Sequence, residues 1–172
     1  MIDDQRRVED LDQEKLVRLT MDMFHRLVLH YGMWFNEIKH QMGLEKAYEM
    51  TRQASEKSLG IQMKKFSRLF GFRMKDGLPE PLLEMPREKL IELMDTVAAN
   101  WLANDGVWFQ AVEFSSGMND AKRCNDSCWA QFSPIEAWSI KNFLNLPENP
   151  GMEGLKQALN LRLYARLNKQ SI

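Results

Sequence analysis

Apolar residues return along this chain at steps of three, four and seven. Leu16, Leu19, Met23, Leu27, Trp34 and Ile38 make one such run. Leu90, Leu93, Val97, Trp101, Trp108 and Val112 make a second. The spacing keeps one face of a 3.6-residue helix apolar and predicts two long amphipathic helices. Helical composition continues from Leu44 to Gly71, where Gly71 suits a C-cap. Phe72 to Met85, with Asp76-Gly77, Pro79 and Pro81, reads as a connector, and Pro86 suits the first turn of the next helix. Ser133-Pro134-Ile135-Glu136 spells a capping box and predicts a helix from there to about Leu144. Asn145 to Gly151 is turn-rich. A last helix is expected from about Met152 to Asn168, with Leu155, Leu159, Leu163 and Leu167 on one face. No stretch alternates as a strand does, so the class is all-α, with roughly six to eight helices counted after breaks.

The two runs are also one phrase written twice. Sliding the sequence by 74 residues lays Glu14-Lys15-Leu16 on Glu88-Lys89-Leu90, and lays Gly32, Trp34, Phe35, Gly43 and Ala47 on Gly106, Trp108, Phe109, Gly117 and Ala121. Leucine spacing recurs by chance between amphipathic helices, but the Gly-x-Trp-Phe block with a later Gly and Ala at fixed offsets does not recur so easily. The expectation is a single domain over residues 1–172, a compact bundle of two related halves at about 12–71 and 86–144, followed by the helix at about 152–168. Gly32 and Gly106 interrupt both runs at the same place, and a kink is expected at each. Gly43 and Gly117 sit where each long helix should end.

Composition narrows the function classes. Lys plus Arg number 23 against 24 Asp plus Glu, so there is no basic excess of the kind a nucleic-acid binder carries. No apolar run reaches the length of a membrane span. The opening MIDDQRRVED lacks the apolar core of a leader, which points to the cytoplasm. The 2 cysteines, Cys124 and Cys128, are too few for a disulfide framework and fit a reducing compartment.

Candidate chemistry is sparse. On a helix Cys124 and Cys128 lie one turn apart, where a thiolate pair can bind a soft metal or one thiolate can attack an electrophilic carbon. Lys122 and Arg123 stand beside them as cations able to favour a thiolate. Packing as small apolar side chains near Trp129 is the plain alternative. Glu37 and His40 form one Glu-x-x-His, half of a di-metal carboxylate pattern, and the second half has Ala111 and Phe114 in their places. A zinc or iron ion is the cofactor that Cys124, Cys128, Glu37 and His40 would imply. His30 and Asn104 occupy matching places on the two apolar faces. Each is expected either to bond backbone inside the fold or to line a pocket walled by Trp34, Trp101 and Trp108. Asn36 and Gln110 present an amide in both halves, and Glu113 is the nearest acid able to act as a base beside a thiol. Lys57, Lys64, Lys65 and Arg68 read as a solvated helix face.

The stretches GMWFNEIKHQMGLEKA, WLANDGVWFQAVEFSSGMNDAKRCNDSCW and FSPIEAWSIKNFLNLPENPGMEGLKQALNLRLYA resemble a family of uncharacterised prokaryotic cytosolic proteins. That family is similar, more distantly, to L-2-amino-thiazoline-4-carboxylic acid hydrolase-like proteins. The resemblance implies ring opening of a small sulfur heterocycle and directs attention to Cys124. Three expectations follow. The first is a small-molecule binder, with hydrolysis of a C–N or C–S bond by Cys124 or Cys128, His30 carrying a proton, Asn104 orienting and the indoles as walls. The second is a metal or metallo-cofactor protein. The third is a non-enzymatic helical module that forms a homodimer or docks a partner, marked by a blocked or absent pocket and a large exposed apolar face.

Overall fold

A computed structural model of the chain describes residues 7–168. Met1–Arg6, part of the opening stretch read above for a leader, lies outside them. The chain forms two units, Met1–Leu59 and Gly60–Ile172. Among the described residues the fold is all-α: α1 (Gln13–Met42), α2 (Leu44–Phe70), α3 (Glu80–Leu83), α4 (Arg87–Ser116), α5 (Met118–Phe143) and α6 (Gly151–Leu159). Short 3-10 turns cover Val8–Asp10 and Leu163–Arg166.

The first unit is built on α1 and the start of α2. Asp12 caps α1, accepting the Lys15 backbone N–H at 2.9 Å and the Lys15 ammonium at 2.6 Å. That ammonium, followed by the backbone N–H, holds the Asp12 carboxyl below its ordinary value. The helix ends at Gly43, whose φ of 88° and ψ of 166° suit only glycine. The Gly43 N–H donates to the Lys39 carbonyl at 3.0 Å, and α2 begins at the next residue. Phe35 meets Tyr48 across this corner, ring centres 5.8 Å apart, and the Tyr31 hydroxyl bonds Ser58.

The second unit repeats that corner in register. At the 74-residue offset α4 begins and ends where α1 does, and α5 begins where α2 does. Gly117 has φ 91° and ψ 164°, and its N–H donates to the Glu113 carbonyl at 2.8 Å. Ala47 and Ala121, at matching places after each glycine, are both buried.

Beyond the corner the halves differ. In the second unit α4 packs along α5, and the Leu163–Arg166 turn lies against α4. Glu136 of α5 accepts from Arg162 Nε at 2.8 Å and from the Leu163 N–H at 2.9 Å. Arg166 Nε donates to Asp95 of α4 at 2.6 Å. These bonds fasten the chain's tail over the α4–α5 pair.

Four expectations change. Gly32 and Gly106 do not break their helices, because a glycine costs only about 1 kcal/mol and still makes the backbone bond. Asp105 is held in α4 by the Asn125 amide, at 3.1 Å. Ser133-Pro134 starts no helix and lies inside α5. The lost bond at Pro134, about 3 kcal/mol, is offset by the packing of Trp129 and Phe132 on Trp101 of α4. The last helix stops at Leu159, and Leu163 falls in the 3-10 turn, because Glu136 captures Arg162 and the Leu163 N–H. The connector holds a two-stranded ribbon, Met74–Lys75 against Leu78–Pro79. Asp76 and Gly77, with φ of 50° and 82°, turn it as a hairpin.

The core is thin for the chain's length. A folded chain of 20.2 kDa exposes about 8,800 Å², and two separately folded units of these lengths about 10,500 Å² together. This chain exposes 14077 Å². Along α1, the residues Val17, Met21, Phe24, Val28, Tyr31, Phe35, Ile38 and Met42 follow at alternating steps of four and three, the spacing of a helix seam. Phe35 and Ile38 are half-buried and the other six are exposed.

Candidate functional site

Two places gather the residues singled out from the sequence. The first is the middle of α1. Val28, His30, Gly32, Trp34, Asn36 and Glu37 lie among the residues around an open depression of about 650 Å³. The absent side chain of Gly32 leaves its floor unfilled: a Cβ there would meet nothing within 4 Å. The His30 ring stands edge-on to Trp34, centres 6.2 Å apart. Both side chains are exposed, with Trp34 at 59%. His30 is therefore not an interior polar group. Glu37 does not pair with His40; its carboxylate accepts from the Gln41 amide at 2.8 Å.

The second place is the aromatic seam of α4 and α5. Trp101 meets Trp129 edge-to-face at 5.2 Å and stacks on Phe132 at 6.0 Å. Tyr164 of the tail meets Trp129 at 6.5 Å, and the Arg162 guanidinium lies 5.9 Å from the Trp129 ring centre. In this seam Trp101 is half-buried against α5. Asn104 is exposed on α4, Trp108 is 59% exposed, and Glu113 is half-buried in the last turn. The expectation that His30 and Asn104 bond backbone inside the fold fails for one reason: neither is buried.

Cys124 and Cys128 are free and exposed on α5. The two cations beside them are engaged elsewhere: Lys122 pairs with Asp126 and Arg123 with Asp120. Each thiol therefore faces solvent beside a neutralised ion pair. Among the described residues no three of His, Cys, Asp and Glu converge as a metal ion would require. Cys124 with Cys128, and Glu37 with His40, remain two-ligand sets.

Arg162 and Tyr164 were not singled out from the sequence, and Glu136 was read only as part of a capping box. Their partners lie 26 and more residues away, and no local pattern announces such a pairing.

These features can be set beside known proteins. A family model matches residues 9–85 and 83–172, one helix corner in each segment. The chain belongs to the family of unknown function DUF6125. No curated protein and no solved structure matches it significantly. Family membership brings no reaction with it, so function rests on what the surfaces can do. No helix among the described residues is long and apolar enough to cross a membrane. Exposed large apolar side chains recur along both α1 and α4.

Proposed function

We propose that this chain is a helical assembly module, whose long amphipathic helices carry apolar faces that another protein surface covers. The supporting observation is the exposed area of 14077 Å², well above what either one folded body or two would show. Exposed apolar patches of this extent mark association surfaces. The matching glycine corners support two copies of one helix pair as its origin. A direct test is the native particle mass of the purified chain together with its binding of an apolar dye. A particle larger than one chain, or a single chain that binds the dye strongly, is expected. A 20.2 kDa particle that binds no dye would show that one chain covers its own faces, and would refute the reading.

A second reading keeps the small-molecule site. Its support is the α1 depression, where an imidazole, an indole and a carboxylate share one concave surface. In that reading the substrate is a small sulfur heterocycle whose C–N or C–S bond is hydrolysed. His30 moves the proton there; a separate thiol reading takes Cys124 or Cys128, on α5, as the nucleophile. Retention of full activity after Cys124→Ser and Cys128→Ser, alone and together, would remove the thiol step. Stoichiometric zinc or iron in the purified protein would favour the metal reading instead.

A further inference from the structure

We infer that Cys124 and Cys128 together form a two-thiolate site for a soft monovalent metal ion, copper(I). The inference stands apart from the assembly reading: it needs neither a covered apolar face nor the α1 depression. The two thiols are four residues apart within α5, and both are free and exposed. On an α-helix that spacing puts them on one face, one above the other, with Cβ atoms about 5–6 Å apart. A disulfide needs Cβ atoms about 3.5–4.5 Å apart, so this turn must unwind before the pair can oxidise to one. Contacts with α4 hold the turn in place. Asn125, between the two thiols, donates to Asp105 at 3.1 Å, and the Trp129 ring, next to Cys128, meets Trp101 at 5.2 Å. The pair therefore remains two separate thiol ligands on a fixed backbone.

The number and kind of ligands choose the ion. Among the described residues no third His, Cys, Asp or Glu joins the pair. Zinc takes a tetrahedron of four ligands, and two thiolates supply only half of it. Thiolates select copper(I) among the soft ions, and two of them in a line complete its coordination. Metal–sulfur bonds of about 2.3 Å place collinear sulfurs about 4.6 Å apart. Side chains one helical turn apart bridge that span with no movement of the backbone. The charges beside the pair neutralise one another, Lys122 with Asp126 and Arg123 with Asp120, so the incoming cation meets paired charge. The step is ligand exchange without electron transfer. Two thiols and one Cu⁺ give a bis-thiolate complex of net charge −1, and two protons pass to solvent.

The test is anaerobic titration of the full-length chain with copper(I) in competition with a chromogenic copper(I) chelator. Circular dichroism checks the fold of each variant. Wild type should hold one copper per chain and show ultraviolet thiolate-to-copper absorption. Cys124→Ser and Cys128→Ser should each weaken binding by about 100-fold or more, since each removes half of the ligand set. Cys128→Ser combined with Asp126→Cys keeps two thiols but sets them two residues apart, where they no longer share a face. It should bind no better than the single variants. Alkylation of both thiols in folded wild type needs no variant and should abolish binding. A wild-type chain that takes no copper from the chelator overturns the inference. So does one copper per two chains, or a shifted pair that binds as wild type does. Stoichiometric zinc in place of copper also overturns it, and supports the zinc or iron reading above instead.

Discussion

Glu136 offers the sharpest quantitative test of how the second unit holds together. Its side chain is only 9% exposed and takes two donors, Arg162 Nε at 2.8 Å and the Leu163 N–H at 2.9 Å. Glu136→Ala leaves both without an acceptor. A buried donor stranded in this way costs about 1–3 kcal/mol, and a bond to a charged group contributes about 1.5–3 kcal/mol. Arg162 keeps 26% of its side chain exposed, so water recovers part of its loss. The expected destabilisation is about 3 kcal/mol for Glu136→Ala and about 1 kcal/mol for Glu136→Gln, which keeps an acceptor. For a unit of this size that corresponds to a fall in Tm of roughly 10 °C for the alanine variant. Thermal unfolding followed by far-ultraviolet circular dichroism measures the shift. Tryptophan fluorescence reports separately on Trp129, which loses the cation above its ring. Adding Arg162→Ala to Glu136→Ala should cost less than the sum of the two singles, because the pair is coupled. A Glu136→Ala protein within about 0.5 kcal/mol of wild type would show that the tail is not fastened by this carboxylate.

Four further outcomes are expected. Gly43→Ala and Gly117→Ala should each cost about 1–3 kcal/mol through backbone strain alone, since a Cβ at either place meets nothing within 4 Å; urea unfolding should give similar values for the two. Ala98→Leu should overpack the covered face of α4 and cost about 1–3 kcal/mol in the same assay, while leaving α1 intact. Cys124 and Cys128 should both react with a thiol reagent in the folded protein as fast as in the unfolded chain, because both are exposed; a protected thiol would contradict their placement. Asp12 has a lowered carboxyl value, so its contribution is complete above the ordinary carboxyl range and fades as pH falls through the lowered value. Carboxyl titration by NMR should show that displacement, and Lys15→Ala should reduce it.

Much of the fold is written locally. The 3.6-residue spacing gives α1, α2 and α4, and Gly43 and Gly117 end their helices as glycines with positive φ must. Where the sequence misleads, a distant partner has outweighed a local signal. Ser133-Pro134 has the spelling of a helix start, but the aromatic contacts of Trp129 and Phe132 carry α5 through it. Leu163 and Leu167 keep the leucine period of a continuing helix, but Glu136 draws Arg162 out of it. The indoles were legible as apolar anchors, not as exposed or covered. Trp34 and Trp108 share a motif and an exposure, whereas Trp101 is covered only because Trp129 and Phe132 reach it from α5. Binding and catalytic roles for Cys124, Cys128, His30 and Asn104 were read from residue type and spacing. Convergence is a property of tertiary structure, which spacing along one helix does not encode.

The most direct test of the assembly is amide hydrogen exchange along α1 in the intact chain, at high and at low protein concentration. A helix whose apolar face another protein surface covers should exchange slowly from Val17 to Met42, and where that surface is a second copy it should lose the protection on dilution. An α1 that exchanges rapidly at every concentration would contradict the assembly reading.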